Sequence, residues 1–388
     1  MKSVQKYNLF LPAKLTTKGE LTLKNENINI RNIPLSKKEE LYTRAFPIID
    51  VIHTLGNDMM LRSQLRQLTC ATYHITEKQA DFLISEMLST GLLYRKQICS
   101  GSKTELLYLS KFVIGKLTNT PSADVPAIAF SRRKIYESIF NTEYLCKYLL
   151  PEITSKYETT PDNIIAYLRY VGSNILIPSH QLYYSDYFQI FYIVCNRLQL
   201  SLTDDFFYDW KAYHYDKLKF LSKSDTSLLE ECNLYKEEKK IRESICQTYT
   251  SDIERVKYTY SLANMMAGRF HITSVTENCI NLIYNDSLDS LTLDKLYLNL
   301  AGLVLMFDRY IKKELTINLT VFVWSEQRAQ NFYSLENRCV YDSFTRTYKD
   351  IPRSEAYLAN YGIKPSLWEN INVHYVPMDI SNKYHVFP

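Results

Sequence analysis

Over residues 36–109 the hydrophobic and polar positions change period in a definite order. Leu41, Ala45, Ile48, Ile49 and Ile52 recur at helical spacing behind Ser36 and Glu39, a capping-box pair, which predicts a first helix bent or split at Pro47 and ended at Gly56 and Asn57. Asp58 is expected to cap a second helix with Met60, Leu61, Leu65 and Leu68 inward and Arg62, Gln64 and Arg66 outward. After a short turn at 73–75, Thr76 and Gln79 form another capping box. The third helix they open buries Ala80, Leu83, Ile84, Met87 and Leu88, and Gly91 stands where a helix C-cap belongs. The period then shortens. Residues 92–96 and 104–109 read as two strands around the turn-rich tip 99–103, a hairpin.

Outside this block the signals are coarser. Residues 7–33 alternate like short strands, and Pro121 and Pro126 mark a linker. Ser131 caps a helix predicted over 132–150 that Pro151 ends, and Thr160 with Pro161 opens another over 162–171. Residues 175–178 look strand-like, further helices are predicted at 203–221, 225–248, 252–267 and 292–313, and a strand at 278–284. Near the C-terminus a strand at 315–324, a helix at 325–335 and a strand at 372–376 make a βαβ-like unit. The expected fold class is mainly α with α/β elements. Its divisions are an N-terminal β arm at 1–35, a three-helix and hairpin module at 36–120, a helical body at 127–290 and a small C-terminal α/β unit at 291–388.

Three helices followed by a hairpin, joined through the segment EMLSTGLLY at 86–94, resemble the winged helix-turn-helix superfamily. The order of parts also loosely resembles the replication-relaxation and regulatory proteins of bacterial plasmids, phages and conjugative elements. The resemblance implies a protein that binds double-stranded DNA, in transcription regulation, replication or maintenance of a mobile element. The C-terminal two thirds would then serve a homodimer or a protein partner. The alternatives are a protein-protein adaptor whose winged helix never meets DNA, and a degenerate nuclease.

Charge agrees with the first reading. The chain of 388 residues carries a net +4, but up to Thr118 there are 17 Lys and Arg against 10 Asp and Glu, a balance of +7, and the remainder carries −3. Guanidinium and ammonium groups neutralise phosphates, while Gln and Ser reach base edges in the major groove. The candidate DNA-binding residues are therefore Arg62, Gln64 and Arg66 on the second helix, Lys78, Gln79 and Ser85 on the third, and Arg95, Lys96 and Lys103 on the wing. Against them, the third helix carries Glu77, Asp81 and Glu86 with only Lys78, a helix charge of −2.

Enzymatic patterns are scarce. The 9 glycines form neither a dinucleotide nor a phosphate loop, and the 8 cysteines are scattered singly without zinc-finger partners, so no catalytic residue, cofactor or metal is expected. Pro161 with Asp162, and Asp209 with Lys211, match the letters of a magnesium nuclease motif, but Pro161 is better explained as a helix start. The 32 tyrosines are expected at helix interfaces. An apolar stripe of Leu228, Leu229, Leu234, Ile241 and Ile245 makes 225–267 the expected dimer segment. With no apolar signal core and no run long enough to span a bilayer, the expected location is the cytoplasm, with reduced thiols and no membrane partner.

Overall fold

The computed structural model describes residues 33–98, 104–156, 184–211, 260–342, 346–360 and 369–386, with Lys240 and Ile363 singly. The expected N-terminal strands, the helix at 162–171, the strand at 175–178 and the helix at 225–248 lie outside these residues, Lys240 apart. The described residues fall into two compact units. One takes those within 1–177 with 287–289 and 378–388, and the other those within 178–286 with 290–377.

In the first unit α1 (Leu35–Thr54) buries Leu41, Ala45, Ile48, Ile49 and Ile52. Pro34, not Ser36, is its N-cap, and the helix continues through Pro47, which costs it one amide donor without splitting or ending it. Leu55 and Gly56 bond back to the last turn of the helix. A Cβ on Gly56 would come within 2.5 Å of the Met59 carbonyl, so only glycine fits, and Asn57 and Asp58 follow in the left-handed region.

The second helix starts later than expected. Met59–Leu61 is a strand, β1, paired antiparallel with Leu106–Tyr108, and all three of its residues are buried. Asp58 therefore caps nothing. Leu61 is the N-cap of α2 (Arg62–Tyr73), its amide donating to the Gln64 carboxamide at 3.2 Å. His74 ends α2 in the left-handed region, and α3 (Glu77–Ser89) follows with Thr76 and Gln79 closing the expected capping box. Gly91, at φ 69°, turns the chain into β2 (Leu93–Gln97), which pairs antiparallel with β3 (Glu105–Leu109). The sheet order is β1-β3-β2.

A helix the hydrophobic pattern did not predict, α4 (Lys111–Thr118), follows β3 with Ser110 as its cap. After it α5 (Arg132–Tyr144), capped by Ser131 as expected, is buried on every side from Ile135 onward. Pro151 does not end this helical run. A π-turn at Leu145–Leu149 widens the backbone, and α6 (Leu150–Lys156) continues through the proline, whose ring would otherwise strike the carbonyl four residues back.

The second unit contains α7 (Tyr184–Arg197), a helical stretch at 204–211, α8 (Leu262–Ala267) and a four-stranded sheet. Its strands are β4 (Phe270–Val275), β5 (Cys279–Asn285), β6 (Thr316–Val323) and β9 (Ile371–Pro377), in the order β4-β5-β6-β9. β4 is an antiparallel edge and the other three strands are parallel. Parallel neighbours need crossovers, supplied by α9 (Leu293–Tyr310) between β5 and β6, and by α10 (Glu326–Glu336), the small hairpin β7 (Cys339–Asp342) and β8 (Thr347–Pro352), and α11 (Arg353–Asn360) between β6 and β9. The expected C-terminal unit thus omitted β4 and β5, which belong to the same sheet as β6.

One face of this sheet is apolar. Ile280, Leu282, Leu319, Val321 and Tyr375 share a core with Leu300, Leu303 and Phe307 of α9 and Phe332 of α10. On the opposite face the register places Asn281, Asn318 and Asn372 side by side, their carboxamides bonded in a row at 2.9 Å each.

The last described helix, α12 (Ile380–Tyr384), belongs to the first unit. The Tyr384 hydroxyl and the Lys383 ammonium donate to the two oxygens of Glu143 at 2.6 and 2.8 Å. No described helix is long and apolar enough to cross a membrane.

Candidate nucleic-acid interface

The apolar stripe of α3 places Ala80, Leu83, Ile84 and Met87 inward, so the opposite side of the helix is turned to solvent. Residues three or four apart share a helix face, and on this face Lys78, Phe82, Ser85 and Ser89 form one exposed row. Phe82 is 72% exposed. The sequence carries a signal for it: an aromatic residue out of phase with the apolar stripe of its own helix.

On either side of this row the acidic residues of α3 are occupied. Arg66 of α2 reaches Glu77 at 3.3 Å and Asp81 at 3.2 Å, and Arg62 reaches Asp81 at 3.6 Å. Arg62 also donates to Glu105 at the start of β3, 3.2 Å away, and Arg95 of β2 approaches the same carboxylate at 3.6 Å. On the far side Arg44 of α1 pairs with Glu86. The three carboxylates of α3 that give the helix its charge of −2 are thus each ion-paired to an arginine of α1 or α2. Together with Lys78 these five cations meet four carboxylates, Glu77, Asp81, Glu86 and Glu105, so the surface around α3 carries about +1; Lys96, next to Arg95 along β2, points to the opposite face of the hairpin.

The nine candidates now separate. Lys78 and Ser85 are exposed on α3, the Ser85 hydroxyl donating to the Asp81 carbonyl at 2.7 Å. Gln79 is exposed, but its side-chain oxygen accepts from the Thr76 amide at 2.9 Å, so its first duty is the helix cap. Arg62, Arg66 and Arg95 are partly exposed and ion-paired as described. Lys96 lies 4.3 Å over the Phe130 ring, a cation–π contact that leaves its charge near the surface. Lys103 lies outside the described residues.

Gln64 is a correction. It was expected to face outward, and the structure buries it completely. Its side-chain nitrogen donates to the Ile139 carbonyl and to Glu143, both at 3.0 Å, and its oxygen accepts from Leu61 and Thr142. A carboxamide satisfied from four directions contacts no DNA base; it joins the start of α2 to α5.

Around the network the titratable groups have clear physical settings. His53 donates from its ring Nδ1 to the Asp58 carboxylate at 2.5 Å, and that hydrogen bond raises the imidazole above its usual range despite the opposing effect of burial. Burial pushes the Tyr73 phenol up to about 12, and its hydroxyl donates to the Arg44 carbonyl at 2.9 Å. Neither group stands in the exposed row.

The nuclease letters receive a different explanation. Asp162 lies outside the described residues, and Asp209 accepts from the Arg309 guanidinium at 2.8 Å and from the Tyr310 hydroxyl at 2.5 Å inside the second unit. Among the described residues no group of three or more His, Cys, Asp and Glu is placed to hold a metal ion. Comparison of the chain with protein-family models, with curated proteins and with solved structures finds no match.

Proposed function

We propose that residues 35–118 are a winged helix that binds duplex DNA, with α3 entering the major groove and the β2–β3 hairpin resting on the backbone. The observation that carries this reading is the element order α1-β1-α2-α3-β2-β3 with β3 between β1 and β2, which leaves α3 exposed beside the hairpin. Lys78 on the helix and Arg95 and Lys96 on the hairpin are the phosphate contacts in this reading, and Ser85 lies on the face turned to the bases. Such a module suits control of transcription, replication or maintenance of a mobile element.

A second reading, a protein adaptor, is favoured by one specific observation: Arg44, Arg62, Arg66 and Arg95 are all paired to carboxylates of the module itself. An anion must compete for them. Fluorescence anisotropy of the full chain with a random-sequence duplex across a salt series separates the two. DNA binding predicts an affinity that falls steeply and log-linearly with salt and weakens when Lys78, Arg95 and Lys96 become alanine. Absence of binding at low salt would leave the adaptor reading.

A further inference from the structure

Phe82 is the most exposed large hydrophobic side chain among the described residues, and it stands midway along the helix that the DNA reading sends into the groove. Its neighbours at helical spacing are all polar: Lys78 and Gln79 one turn before it, Ser85 and Glu86 one turn after, and Ser89 a turn beyond. An isolated aromatic ring of this kind is too small to be the buried centre of a protein interface, which needs several hydrophobic groups together. It suits a groove whose floor offers one apolar group among hydrogen-bonding atoms. In the major groove that group is the C5 methyl of thymine.

Charge favours the same occupant. The cations around α3 exceed the carboxylates by one, and the carboxylates are drawn off toward α1, α2 and the hairpin by Arg44, Arg62, Arg66 and Arg95, leaving Lys78 beside Phe82 on the exposed row. A polyanion approaching this face thus meets an ammonium and then the ring. The serine hydroxyls donate along their own helix, Ser85 to the Asp81 carbonyl at 2.7 Å and Ser89 to the Glu86 carbonyl at 3.0 Å, and offer lone pairs outward.

We infer that Phe82 is the specificity-determining residue of the module and that it recognises duplex DNA by packing its ring on a thymine methyl group. The inference rests on the DNA-binding reading above. Its consequence is that the protein distinguishes thymine from uracil, two bases with identical pairing and identical hydrogen-bonding edges.

The test uses the full chain and a 30-base-pair duplex selected by it from a random pool. Each thymine of the selected duplex is replaced in turn by deoxyuridine, and affinity is measured for the wild type and for Phe82→Ala. The expected result is a loss of about fourfold at one or two adjacent positions, the worth of one buried methyl group. That loss should vanish in Phe82→Ala, which binds the thymine and uracil duplexes equally, and should persist in part in Phe82→Leu. Because the ring is exposed, the variants keep the fold, which their unchanged unfolding temperature verifies. Wild-type protein indifferent to every uracil substitution, or a thymine preference that survives in Phe82→Ala, overturns the inference while leaving DNA binding intact. If no duplex is enriched at all, the DNA reading falls and the inference with it. Loss of a protein partner's binding in Phe82→Ala, with DNA binding unaffected, would assign the ring to the adaptor reading.

Discussion

Two arginine–carboxylate clusters in this chain are built from the same groups in opposite surroundings. Around α3, Arg62 and Arg66 share Asp81 with side chains about one third exposed. In the second unit, Arg309 and Asp209 pair at 2.8 Å with side chains 13% and 12% exposed, and the same carboxylate takes the Tyr310 hydroxyl. Water screens the first pair and the side chains pay entropy to hold it, so it contributes little to stability and exchanges readily. The second has left water, and either partner alone would be a buried charge without compensation. What separates a structural ion pair from one available to a ligand is therefore exposure, not distance.

The largest effect should follow from breaking the buried pair. Asp209→Ala is expected to destabilise the second unit by about 3–5 kcal/mol, read as a fall in denaturant midpoint, with Asp209→Asn less damaging because it still accepts from Tyr310. A wild-type midpoint for Asp209→Ala would mean that the pair is as dispensable as those on the surface.

Packing in the same unit supplies the next effect. A Cβ at Gly302 of α9 would fall on the Tyr260 ring, whose hydroxyl is fixed by Asn299 at 3.0 Å. Alanine improves helix propensity by about 1 kcal/mol, but overpacking costs typically 1–3 kcal/mol. Gly302→Ala should therefore lower stability despite the better helix former, and a stabilised variant would show that the ring moves aside freely.

How legible these features were in the sequence depends on where their partners lie. The stripe of α3 and its cap at Thr76 are set by residues within one or two turns, so periodicity finds them. β1 has three buried residues and no alternation, and only its pairing with Leu106–Tyr108 makes it a strand. Gln64 has the chemistry of a surface residue and the partners of a core one, brought from 75 to 79 residues away by α5. The end predicted at Pro151 failed because a π-turn absorbs the proline. Of the candidate interface, the basic residues were visible as letters, but Arg44 and Glu105, which decide how that charge is paired, appear only once the fold assembles them.

Protonation gives an intermediate case in the first unit. The hydrogen bond to Asp58 raises the folded-state value of His53. A raised histidine binds its proton more tightly folded than unfolded, so the stabilisation is complete below the unfolded value of about 6.5 and is lost as pH rises through the higher folded value. His53→Gln should remove this acid-side gain, so that the stability difference between wild type and variant shrinks from pH 5.5 to pH 8.5. A difference that stays constant over that range would separate His53 from any titration.

The smallest effect on stability should carry the largest effect on binding. Asp81→Asn removes the carboxylate that Arg62 and Arg66 share while preserving the shape of the side chain, and because the groups are exposed the stability change should stay within about 1 kcal/mol. Both guanidinium groups are then freer to meet phosphates. If α3 binds DNA, affinity for a duplex at low salt should rise several-fold, and the slope of log affinity against log salt should steepen by about one phosphate equivalent. The same substitution in an adaptor would leave DNA binding absent at every salt concentration. An affinity that falls in Asp81→Asn would mean that the carboxylate positions the arginines instead of competing for them, and that the exposed network, like the buried one, is needed intact.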